Sequence, residues 1–61
     1  MVIMTDELIG QIRSALDRHG LVVIDGDGVR AAPDRTIETD GTIIDQEQFD
    51  WYESHGWPAE L

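Results

Sequence analysis

The stretch "TIETDGTIID", Thr36 to Asp45, decides how the chain is read as a fold. Asp40-Gly41 lies between two β-branched runs, and Asp-Gly is a preferred pair for a type I′ turn, which needs positive φ at both positions. Read this way, Thr36 to Ile44 is a β-hairpin. Ile37 and Ile44 would share one face of it, and Glu38 and Ile43 the other.

Working outward, "LVVID" (Leu21–Asp25) is an apolar, β-rich run. "GDG" (Gly26–Gly28) turns the chain, "VRAA" returns it, and Pro33 breaks the ladder as befits an edge strand. Before these strands, Leu8, Ile9, Ile12, Ala15 and Leu16 form one apolar stripe at helical period. Thr5 is suited to N-cap that helix, Asp6 and Glu7 favour its first turn, and Gly20 stops it after Arg18 and His19. After the hairpin, Asp45 N-caps a second helix, about Gln46 to His55. Gln48 stands at N3 and Gly56 ends the helix. "WPAEL" is a tail tucked in by Trp57. The expectation is one α+β domain over residues 1–61. It is an antiparallel four-stranded meander with an N-terminal and a C-terminal helix on one face, in the order α-β-β-β-β-α.

The charge balance narrows function. Thirteen acids face four arginines, for a net charge of −9. The excess is lopsided: residues 34–61 hold eight acids and one arginine, and from Thr36 onward there is no cation. Direct contact with nucleic acid or an anionic membrane needs Lys or Arg, so both are disfavoured. Lysine and asparagine are both absent, which fits a GC-rich coding sequence. Arginine would still have been available to such a gene, so the acidity needs its own explanation. The chain has no cysteine, which points to the reducing cytoplasm. No apolar run reaches the roughly 20 residues of a membrane span, and "MVIM" is too short for a signal segment.

The motifs for catalysis or metal binding fail on inspection. "DGDG" from Asp25 begins like a calcium loop, but Val29, Arg30 and Thr36 stand where an oxygen ligand, a glycine and a glutamate are needed. His19 and His55 end helices and lack further ligands at zinc spacing. Ser14 and Ser54 lack a nucleophile-elbow pattern, and a small domain rarely encloses the pocket a carboxylate pair requires. No enzyme activity, metal or cofactor is expected.

The acids of the second helix are the strongest functional signal. At ~100° per residue, Phe49, Tyr52, Trp51, Gln48 and His55 are assigned to one arc, with the aromatics read as core. Glu47, Asp50 and Glu53 are assigned to the opposite one. An exposed Trp51 or Trp57 acting as an interface anchor is the alternative. The three acids, at i, i+3 and i+6, form a ridge with one charge per ~4.5 Å of helix. A DNA strand has one per ~3.4 Å. Helix stability does not ask for the ridge, since like charges at this spacing cost roughly 0.2–0.5 kcal/mol per pair. Glu53 is the least explained, an anion at the end where the dipole disfavours it. Glu38 and Asp40 would lie on the adjacent hairpin, with Asp34 and Glu60 flanking.

Small, acidic, cysteine-free chains with a lysine-free segment such as "TIETDGTIIDQEQFDWYES" resemble phage-encoded inhibitors, above all anti-CRISPR proteins that mimic double-stranded DNA. The resemblance implies a partner with a basic DNA-binding surface, such as the PAM-reading face of a CRISPR surveillance complex. Asp34, Glu38, Asp40, Glu47, Asp50, Glu53 and Glu60 are the residues expected to meet it, through charge-assisted hydrogen bonds to arginine and lysine. Two other readings compete. One is a regulatory module of antitoxin or adaptor type that binds through Trp51 and Trp57. The other is a salt-adapted protein whose acids serve solvation.

Overall fold

The computed structural model describes residues 2–61. Helix α1 spans Asp6–His19. Strands β1 (Leu21–Asp25), β2 (Gly28–Ala31) and β3 (Thr42–Asp45) follow, and helix α2 (Gln46–His55) comes last. The fold is a small α+β arrangement of two helices on a three-stranded antiparallel sheet, ordered β2-β1-β3. It is not the four-stranded meander expected from the sequence.

Both helices run over the predicted residues because their ends are specified locally. The Leu8 N–H donates to Thr5 Oγ1 at 3.1 Å, and the Gln48 N–H to Asp45 Oδ1 at 2.7 Å. Each bond satisfies an orphan donor of a first turn. Gly20, at φ 78°, closes α1 with its N–H on the Leu16 carbonyl. Gly56, at φ 96°, closes α2 on the Tyr52 carbonyl.

The hairpin expected at Thr36–Ile44 does not form. A type I′ turn needs positive φ at both central residues, and neither Asp40 nor Gly41 has it. Side chains take the backbone donors that the ladder would have used. Asp34 Oδ1 accepts from the Thr36 N–H at 2.8 Å and from its hydroxyl at 2.7 Å, and Thr39 Oγ1 accepts from the Gly41 N–H at 2.9 Å. Such local bonds compete directly with strand pairing. Thr42–Asp45 pairs instead with β1, placing Ile44 opposite Val22 and Thr42 opposite Ile24.

Strand β1 is therefore central. Val22, Val23 and Ile24 are consecutive and all buried, the pattern of a strand covered on both faces. Val22, Ile24 and Ile44 face the helices and meet Ile12, Leu16 and Phe49 in the core. Ile37 is not in that cluster, so it does not share a face with Ile44 as expected. Val23 points the other way, yet is only 1% exposed. The connection 32–41 runs from the β2 edge to the β3 edge and, by elimination, covers that second face, with Ala32 buried and Ile37 half-buried. Gly41 ends the crossing where only glycine fits: a Cβ there would lie 2.3 Å from the Ile24 carbonyl oxygen.

The two ends of the described chain close the structure. Val2 and Leu61 exchange backbone hydrogen bonds at 2.7 and 2.8 Å, and the Met4 N–H donates to the Ala59 carbonyl at 2.8 Å. Trp57 packs against the core, stacked on Tyr52 (4.7 Å between centroids) and edge-on to Phe49 (5.3 Å). Among the described residues, no helix is long and apolar enough to cross a membrane.

Candidate functional site

Helix α2 buries only its Phe49 side. Phe49 is in the core and Tyr52 is half-buried against it, while Gln48, Trp51 and His55 are exposed. The sequence-based assignment of Trp51 to the buried arc is thus corrected. Two residues past Phe49, it points roughly 200° around the helix, and it is 54% exposed.

Glu53 is exposed, as assigned, but it is not free of a cation. Four residues past Phe49, it stands at the edge of the buried face, where α1 lies. The Arg13 guanidinium of α1 donates to Glu53 Oε1 at 3.2 Å, with the side chains 65% and 40% exposed. The same guanidinium lies 5.6 Å from the Phe49 ring centroid, within cation–π range. Glu53 is therefore a bridge between helices rather than the third member of an unopposed ridge.

The other predicted acids divide among three places. Glu47 and Asp50 stay on the outer face of α2, where Asp50 Oδ1 accepts from Gln46 Nε2 at 3.0 Å. Asp34, Glu38 and Asp40 lie on the 32–41 crossing rather than on a hairpin beside α2. Glu60 is exposed on the terminal pair, opposite Ile3. The structure brings Glu47 and Asp50 together on one helix face and distributes the rest.

Cations neutralise little of this surface. Among the described residues there are three ion pairs: Arg13–Glu53, Arg30–Asp25 and Arg35–Asp45. Ten of the thirteen acids (13 − 3) have no cationic partner among the described residues. These include Asp34, Glu38, Asp40, Glu47, Asp50 and Glu60, six of the seven residues singled out from the sequence.

Three aspartates have carboxyl pKa values below the usual range, each for a structural reason. Asp45 is held down by the Gln48 N–H at the helix N-terminus and then by Arg35. Asp25 is held down by the Asp27 N–H and then by Arg30. Asp34 is held down by the Thr36 hydroxyl and N–H. All three are spent on turns and caps, which accounts for "DGDG" as a turn: the Asp27 N–H donates to Asp25 Oδ1 at 2.8 Å, and Gly28, at φ 113°, begins the return strand. No group of three or more potential metal ligands occurs among the described residues.

What sequence reasoning missed is a stripe on α2. Glu47, Trp51 and His55 recur at i, i+4 and i+8, all exposed. The His55 ring stacks on the Trp51 indole (4.2 Å between centroids, 14° between planes). Its Nδ1 lies 2.9 Å from the Trp51 carbonyl oxygen and donates to it in the Nδ1–H tautomer. An open depression along this face is lined by Glu47, Asp50, Trp51, Ser54 and His55. The i, i+4 spacing was the available signal.

No protein-family model matches the chain, and no curated protein or solved structure shows significant similarity to it.

Proposed function

We propose that this chain is an acidic inhibitor that occupies a basic nucleic-acid-binding surface of a partner protein, standing in for double-stranded DNA. One observation carries the reading: ten carboxylates lack a cationic partner among the described residues. The net charge of −9 sits on a body whose longest dimension is 26 Å. That is one net charge per about 2.9 Å of length, against about 1.7 Å for a DNA duplex with both strands counted and about 3.4 Å for one strand. A charge density of this order destabilises a compact body by self-repulsion and steers it toward a cationic surface. The resemblance to anti-CRISPR proteins makes a DNA-reading face of a CRISPR surveillance complex the first target to test, within the cytoplasm of a bacterial host.

The test is capture of host proteins on the immobilised chain, followed by competition with duplex DNA. The reading requires captured proteins to be DNA-binding and to be released both by salt and by duplex. It also requires a Glu47→Lys/Asp50→Lys variant to lose them. Retention on that variant, or capture indifferent to DNA, would reject it.

A regulatory binding module anchored on an aromatic is the second reading, favoured by the 54% exposure of Trp51. Trp57, packed on Phe49 and Tyr52, does not support it. Such binding would be nearly insensitive to salt and would fail on Trp51→Ala.

A further inference from the structure

From the arrangement on α2 we infer that the Glu47–Trp51–His55 stripe is an arginine-docking site, selective for guanidinium over ammonium. The inference rests on the acidic-inhibitor reading and names the partner side chain that the surface takes. Helical side chains lean toward the N-terminus. His55 leans onto Trp51, as the 4.2 Å stacking records, Tyr52 meets the indole edge-to-face at 5.5 Å, and Glu47, one turn earlier, lines the same depression. The indole is thereby held in place and still 54% open. Glu47 makes no hydrogen bond or ion pair among the described residues, so its carboxylate, on the same depression as the indole, is unspent.

A planar cation fits these two groups together. Guanidinium can stack on the indole and donate two parallel N–H bonds to the carboxylate, whereas ammonium is a strongly hydrated point charge with no plane to stack. Asp50 adds negative potential from the adjacent position, and no arginine of the chain pairs with Glu47 or Asp50. The occupant is thus an arginine-bearing segment of a protein partner. A bare acidic ridge would draw arginine and lysine alike; the open, His-braced indole makes the difference.

The experiment titrates isotope-labelled protein with oligoarginine and oligolysine peptides of equal length at low salt. The indole N–H resonance of Trp51 is followed, with Trp57 as internal reference. Oligoarginine is expected to shift the Trp51 signal and to bind about two- to fivefold more tightly than oligolysine. Trp51→Ala should abolish that preference, Trp51→Phe should retain part of it, and Glu47→Gln should weaken oligoarginine binding. Equal, salt-sensitive binding of both peptides without a Trp51 shift would overturn the site and leave the acidic-inhibitor reading standing. No binding of either peptide would reject both. A Trp51 shift that follows protein concentration without peptide would place a second copy on the stripe and also overturn the site.

Discussion

Arg13 of α1 reaches Glu53 of α2, Nη2 to Oε1 at 3.2 Å, and lies over the Phe49 ring. The two helices already meet in the apolar core through Ile12, Leu16 and Phe49, and this cation adds a polar tie at its edge. Because both partners are largely solvated, the pair should contribute about 0.2–1 kcal/mol. A double-mutant cycle with Arg13→Gln and Glu53→Gln, read by urea denaturation, should return a coupling in that range. Glu53→Lys should destabilise further, and for that reason Glu53 is left out of the charge-reversal test.

Two glycines should respond oppositely to alanine. Gly10 is exposed inside α1, and a Cβ at that position would meet nothing within 4 Å. Gly10→Ala should therefore stabilise by about 1 kcal/mol, raising Tm by about 5 °C. Gly41→Ala drives a methyl into the Ile24 carbonyl and should cost at least about 2 kcal/mol. A chain this size has only about 3–9 kcal/mol in all. Thermal denaturation of the two variants checks both signs.

Acid should remove the stability that three turn and cap aspartates contribute. The carboxyls of Asp25, Asp34 and Asp45 all have depressed pKa values in the folded state. Their contribution is complete above the ordinary aspartate value of about 3.9. It is lost as pH falls through their lower folded values, because the unfolded chain then binds protons more readily. Asp45→Asn isolates the charge, since asparagine also caps helices well. The variant should be less stable than the parent near neutrality, and that difference should shrink below about pH 4.

The parts of the fold that were legible are those set by neighbours in sequence. Thr5, Gly20, Asp45 and Gly56 each act within a turn of their helix, so both helices could be read. The partner of Thr42–Asp45 could not. It depends on the open second edge of β1, some twenty residues earlier, and Asp34 and Thr39 bond locally in ways that override the Asp40-Gly41 signal. The orientation of Trp51 was within reach of simple helical geometry, being half a turn from Phe49. The role of Glu53 was not, because Arg13 lies 40 positions away.

The most direct test of the central claim is displacement. The captured partner is held on the immobilised chain, and the amount released by duplex DNA is measured as salt is raised from about 50 to 200 mM. Occupation of a DNA-binding surface predicts stoichiometric release by duplex, an affinity that drops roughly tenfold or more over that range, and no retention on Glu47→Lys/Asp50→Lys. A partner that stays bound in excess duplex, with affinity unchanged by salt, would contradict it.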